Sequence, residues 1–189
     1  LEALGELVKQ GKVRQIGLSN ETPWGTMKYL ELAETKSLPR VASIQNAYNL
    51  VNRGFEIGLS EVAMHEQVGL LAYSPLAQGT LTGKYLGGQM PQGSRLALFG
   101  DGPLMMRYKG DKTQQAIEMY VNLAKKYEID PAQLAIQFCN IQPFVTSTII
   151  GATTMEQLKT CIDSVDLDIT KEIMNEIRGI HKEIPNPAP

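Results

Sequence analysis

GLSNET, residues 17–22, follows KVRQI, residues 12–16, in which charged side chains alternate with branched apolar ones. This is the pattern of a buried strand that stops in a serine, an asparagine and an acid, and then passes through Thr22 and Pro23 into an amphipathic run. Thr22 has the chemistry of an N-cap, and Pro23 that of a first helical residue. A strand that ends in small polar side chains and hands over to a helix N-terminus is where α/β proteins place ligands.

The same handover recurs along the chain. Short apolar segments at 14–18, 41–45, 69–74 and 147–150 read as parallel strands. Helical periodicity predicts helices over 23–34, 55–65, 113–127, 131–140, 155–164 and 170–182. At the start, Leu1, Leu4, Leu7 and Val8 share a helical face, and Gly11 ends it. Alternating βα units imply a parallel sheet with right-handed crossovers. No strand is followed by the G-x-G-x-x-G of a doubly wound dinucleotide fold. Instead every strand ends in polar residues: Ser19-Asn20, Gln45-Asn46, Tyr73-Ser74 and Gly151-Ala152-Thr153. Strand ends that all face one site are the habit of the (β/α)8 TIM barrel, which needs about 250 residues.

The 189 residues are therefore expected to be one domain, the second half of such a barrel: about four βα units plus a C-terminal helix and tail over 170–189. An opening in mid-helix on Leu1 fits a chain whose N-terminal part is missing. A half-barrel is expected to leave two open sheet edges and an uncovered apolar interior, inviting homo-oligomers. The glycine-rich segment 76–112 shows no sustained period and is expected to be a binding loop or lid.

Composition narrows the function. The chain is 43% hydrophobic with a net charge of −2, and its basic residues are dispersed, so neither nucleic acid nor an anionic membrane is an expected partner. No apolar run approaches the roughly 20 residues that span a bilayer. Cys139 and Cys161 fall in helical patterns without a CxxC, as in a reducing compartment, and a cytoplasmic location is expected. His65 and His181 also lie in helical patterns, away from strand ends, so no metal set and no catalytic histidine is assigned.

Four ordered stretches carry a resemblance: GKVRQIGLSNET, IQNAYNLVNR, LLAYSPLAQGTLTGKY and STIIGATTMEQLKT. At those strand ends they resemble the aldo-keto reductases, looking most like the bacterial Tas-type branch, which is itself similar to the β-subunits of voltage-gated potassium channels. The resemblance covers essentially the whole chain. It implies a barrel that binds NADP(H) across the C-terminal ends of its strands and reduces aldehydes or ketones to alcohols by hydride transfer. The nicotinamide carboxamide has one acceptor and two donors, so short side chains with both functions suit it. Ser19, Asn20 and Gln45 match the residues that hold it, and Tyr73 the residue that lies against the ring. Ser74, Pro75, Leu76, Ala77, Gly79 and Leu81 match a turn whose backbone amides approach the pyrophosphate. Lys84 and Arg95 match the cations that close over it.

At the last motif, Gly151, Thr153 and Gln157 match the site for the adenosine and its phosphate, at a helix N-terminus suited to anions. Cys161 stands where close relatives carry an asparagine that bonds adenine, and a thiol is a poor substitute. No Arg or Lys lies in that helix's first turn, so the choice between NADPH and NADH is open. The family's Asp, Tyr, Lys and His tetrad belongs to the other half of the barrel, so no catalytic residue is assigned here and the chain alone is expected to be inactive. Tyr85 and Tyr108 have no lysine at motif spacing. The runner-up reading is an NADP(H)-binding regulatory subunit or redox sensor with little turnover. A flavodoxin-like binding module is a third.

Overall fold

The computed structural model describes residues 1–100 and 102–189, without the side chains of Pro103 and Leu104. Asp101, inside the long 76–112 segment, lies outside the described residues. Strands β1 (Ile16–Ser19), β2 (Val41–Ala47), β3 (Gly69–Tyr73) and β4 (Val145–Thr148) form one sheet in the order β1-β2-β3-β4, each neighbouring pair parallel. The helices are α1 (Glu2–Lys9), α2 (Pro23–Thr35), α3 (Leu59–Glu66), the short α4 (Arg95–Phe99) and α5 (Pro103–Met106), α6 (Asp111–Lys126), α7 (Pro131–Asn140), α8 (Met155–Asp163) and α9 (Lys171–Glu183). The alternating βα pattern is thus an α/β fold on a parallel sheet.

Local chemistry sets the helix starts. Thr22, Asp130, Thr154 and Thr170 each accept a backbone N–H from the first turn of the helix that follows, and Pro23 and Pro131 stand at first helical positions. Each such cap contributes about 1 kcal/mol. Strand ends differ from expectation by one or two residues. β1 begins at Ile16, where pairing with Val41 starts, and β4 begins at Val145, paired with Leu70.

The larger differences have identifiable causes. The helix expected over 55–65 is split into a 3-10 turn, Gly54–Glu56, and α3, because Gly58 between them sits at φ +86° and cannot continue a helix. Ile57 is left 71% exposed there. On α1, Leu4 is 41% exposed, and Gly5 faces inward instead, so close to Pro39 that a Cβ would stand 3.2 Å from its ring. The segment expected to lack periodicity holds 3-10 turns at Ala77–Thr82 and Leu86–Gly88 as well as α4 and α5.

Parallel register sorts the side chains. Leu18, Ile44, Leu70 and Val145 form one row facing the helices, where Ile44 and Leu70 are buried against a core that includes Ile117, Val121, Leu134, Phe138 and Ile177. Each large side chain fully buried there contributes about 1.5–3 kcal/mol. The opposite face carries the rows Ser19, Gln45, Leu71, Ser147 and Gly17, Ser43, Gly69. The expected apolar interior is therefore corrected: this face is mostly small and polar, with Gly17, Ser19, Gln45 and Ser147 exposed. Thr146 lies over Gly69, where a Cβ would meet its Oγ1 at 1.7 Å.

Beyond β2 the chain enters a half-buried polar cluster. The Tyr48 hydroxyl donates to Glu56 Oε1 (2.6 Å), Arg53 bonds both Glu56 oxygens (2.7 and 2.8 Å), and the guanidinium lies 5.3 Å from the Phe138 ring centroid. The C-terminal tail closes over this cluster, with Asn186 Oδ1 accepting from Arg53 N (2.7 Å). Burial opposes ionisation of Glu56, but the hydrogen bonds from Arg53 and Tyr48 and the charge of Arg53 outweigh it and hold the carboxyl below its usual range. Burial, and then the Arg53 charge, lower the pKa of His181 beside them.

Both groups bind protons more weakly folded than unfolded. Their contribution to stability is complete above the unfolded values, about 6.5 for His and 4.3 for Glu, and is lost as pH falls through them toward the folded values. Urea midpoints are expected to stay level between about pH 7 and 8, to decline below about pH 6.5, and to decline further below about pH 4.5. His181→Asn should flatten the first decline and Glu56→Gln the second. A wild-type midpoint that does not move with pH would contradict the assignment.

Candidate functional site

Because all four strands run the same way, their C-terminal ends share one edge of the sheet. Asn20, just past β1, adopts φ +51°, a conformation that asparagine tolerates better than most side chains. Its N–H donates to the Gln45 carbonyl (3.0 Å), its Oδ1 accepts from the Tyr73 hydroxyl (2.8 Å), and its Nδ2 reaches Ser19 Oγ at 3.5 Å. Ser19, Asn20, Gln45 and Tyr73 thus meet across three strand ends. Tyr73 takes one lone pair of the Asn20 Oδ1, and the Asn20 amide nitrogen is turned to Ser19. The exposed Gln45 amide and Ser19 hydroxyl supply both donors and acceptors. A small polar group seated here would find both donors and acceptors.

After β3 the backbone turns sharply. Ser74, Ala77 and Gln78 have φ of +55°, +48° and +59°, and Gly79 has +91°. Each non-glycine residue in this region costs about 1–2 kcal/mol, so the turn must be held from outside. Asn49 holds it. The side chain is fully buried, Nδ2 donates to the Ser74 carbonyl (2.9 Å), and Oδ1 accepts from Val51 N (3.0 Å) and Asn52 N (2.9 Å). In IQNAYNLVNR the family resemblance gives a role to Gln45 alone, and the signal for Asn49 is an amide set among Tyr48, Leu50 and Val51, all buried. Tyr108, at the far end of the long segment, is buried with its hydroxyl beside Asn49, and burial raises its pKa. That segment therefore returns to the turn it leaves.

The turn's own amides are arranged differently from expectation. The N–H groups of Ala77, Gly79 and Leu81 donate to the carbonyls of Ser74 and Leu76, closing the turn, while the side chains of Ala77 and Leu81 are buried in the core. The cationic side chains at the turn are Lys84 and Arg95. Lys84 Cε and Nζ lie 3.0 and 3.1 Å from where a Gly79 Cβ would stand, and Nζ lies 5.2 Å from the Tyr85 ring centroid. Arg95 opens α4 and donates from Nη1 to Gln78 Oε1 (2.5 Å).

At the fourth strand end Gly151, Thr153 and Gln157 are exposed. Gln157 Oε1 accepts from the Thr153 amide (2.9 Å) and hydroxyl (3.1 Å), and Thr154 Oγ1 accepts from Gln157 N (3.2 Å). These residues form a closed capping arrangement, which an anion would enter by displacing the Gln157 side chain. Cys161 is buried, and burial raises the pKa of its thiol. Among the described residues no group of three His, Cys, Asp or Glu side chains converges as a metal site, and no helix is long and apolar enough to cross a membrane.

The model of the aldo/keto reductase family matches residues 1–182. The chain belongs to this family. It is 51% identical over 189 residues to Protein tas of Escherichia coli, covering 100% of this chain and 54% of that protein. It is 33% identical over 167 residues to L-glyceraldehyde 3-phosphate reductase of the same organism, covering 87% of this chain and 48% of that one. A probable voltage-gated potassium channel subunit beta of Oryza sativa is 35% identical over 120 residues, 62% of this chain and 37% of its own. The chain spans about half the length of the curated relatives it matches.

In this aldo/keto reductase chain Asn49 offers a direct test of how the turn is held. Asn49→Ala leaves the buried Val51 N–H without its acceptor and removes one of two donors to the Ser74 carbonyl. A loss of about 2 kcal/mol in urea unfolding is expected, with faster backbone exchange over residues 74–79. An Asn49→Ala protein as stable as wild type would show that the turn is held elsewhere.

Proposed function

We propose that the protein takes part in NADP(H)-dependent reduction of an aldehyde or ketone to an alcohol, with this chain supplying cofactor-binding residues. The observation that carries the reading is the Tyr73–Asn20 hydrogen bond beside Gln45, which joins three strand ends into an amide-shaped lining with an aromatic ring at its side. The Gly79 turn supports it, since a glycine at φ +91° lets Lys84 Cε and Nζ lie close over the backbone. A relative named for reducing an aldehyde is in keeping with a small carbonyl substrate.

When bound, the cofactor supplies a hydride. The chain's residues would orient and shield it: Ser19, Asn20 and Gln45 engage the carboxamide, Tyr73 excludes water from one ring face, and Lys84 and Arg95 meet the phosphates. Thr153 and Gln157 are the residues for the adenosine end. The family's tetrad is not assigned to any residue of this chain, so the whole protein's turnover rests on groups outside it. A barrel closed by further βα units and a cytoplasmic setting belong to the same proposal.

The second reading, a subunit whose NADP(H) occupancy reports redox state, is favoured by the similarity to a channel β-subunit. Fluorescence titration with NADPH tests both. Micromolar or tighter binding is expected, weakened about tenfold in Asn20→Ala, roughly the 1.4 kcal/mol of a well-made polar contact. Absence of binding by the wild-type protein would overturn both readings. Tight binding with no carbonyl-dependent oxidation of the bound cofactor by the whole protein, assayed with the groups that lie outside this chain, would select the second.

A further inference from the structure

We infer that Gln78 is a positioning residue that latches Arg95 over the end of β3 and so sets how long the cofactor stays bound; the part concerning the cofactor rests on the function proposed above. Gln78 lies in the middle of the left-handed run at φ +59° and ψ +21°, between Ala77 and Gly79. That backbone allows both ends of its amide to be used at once. Nε2 donates to Ser74 Oγ (3.0 Å), and Oε1 accepts from Arg95 Nη1 (2.5 Å). A primary amide suits this bridge because it offers a donor to a hydroxyl on one side and an acceptor to a guanidinium on the other.

The bridge joins positions 17 apart in sequence and closes the intervening chain into a ring. A second tie runs beside it, from Leu96 N to the hydroxyl of the buried Tyr85 (3.3 Å). Between the ties, residues 87–93 are exposed, and Gly87, Gly88 and Gly93 have φ of +68°, +76° and +74° with open space where a Cβ would be. This stretch has open space around its glycines, so the position of the Arg95 side chain depends on the ties and on the buried Ser94 that caps α4. One guanidinium N–H is engaged by Gln78, and a guanidinium has five. The remainder can meet an anion while the latch stays made. Without Gln78 the arginine would have to be ordered by the ligand itself, with the entropy loss that entails.

Gln78→Asn tests the latch, since asparagine tolerates a left-handed backbone but is one methylene too short to reach. In the ligand-free protein, amide exchange over residues 95–100 should quicken about fivefold, as expected for one exposed charge-assisted bond. NADPH release followed by stopped-flow fluorescence should quicken by a similar factor. In an Arg95→Ala background the same substitution should have no further effect on either rate. Unchanged exchange in Gln78→Asn would overturn the latch. So would an effect undiminished in Arg95→Ala, because Gln78 would then act only by shaping the turn. A wild-type protein that bound no NADPH would sink the cofactor reading, while the exchange comparison would still decide whether the latch exists.

Discussion

Parallel pairing is the constraint on which the rest of this structure depends. Two parallel strands cannot be joined by a tight hairpin, so each connection must travel back to the starting edge, and here helices make the journey. Every strand then ends on the same side. Four separate sequence segments deliver Ser19, Gln45, Tyr73 and Thr148 to one edge through that pairing alone. The same pairing fixes which side chains share a row. Leu18, Ile44 and Leu70 are aligned toward the helices, while Ser19, Gln45 and Leu71 are aligned on the other face. One register thus places both the apolar packing that stabilises the sheet and the polar lining that gives it a site.

At the edge the backbone is held in conformations it would not choose alone. Asn20, Ser74, Ala77 and Gln78 all have positive φ, and none is glycine. Strain of this kind persists where surrounding structure over-determines it. The surroundings here are a buried amide at Asn49, a buried phenol at Tyr108 and the packed side chains of Ala77 and Leu81. The division of labour is consistent: residues that shape the turn are buried, and those that face outward, Lys84 and Arg95, sit on it without shaping it. The Tyr48–Glu56–Arg53 cluster plays a comparable part on the neighbouring loop, where the Arg53–Glu56 pairing offsets the cost of partly burying two charges.

Much of this was legible in the sequence because it was written locally. The N-caps Thr22, Asp130 and Thr154, the prolines after the first two, and the short apolar strands each carry their signal within a few residues. The meeting of Ser19, Asn20, Gln45 and Tyr73 followed from polar residues recurring at strand ends. What was not legible depends on contacts between distant segments. Gly58 breaks a helix that periodicity alone would extend, and Asn49 gains its importance only when the Ser74 carbonyl, 25 positions away, is brought to it. The polar character of the open sheet face was hidden for a related reason. A bulge beside Ile16 and another beside Leu70 decide which hydroxyls point where, and bulges leave little trace in composition.

The exposed stretch 87–93 has a consequence for the family's history. Its glycines at positive φ meet nothing within 4 Å, and the buried anchors Tyr85 and Ser94 lie just outside it. Lengthening such a stretch carries only a slowly growing entropic penalty, about 0.6 kcal/mol for each doubling. Insertions and deletions can therefore accumulate there while the sheet and its strand ends stay fixed. Descendants of one scaffold are free to vary this stretch in length and composition without relearning how to fold.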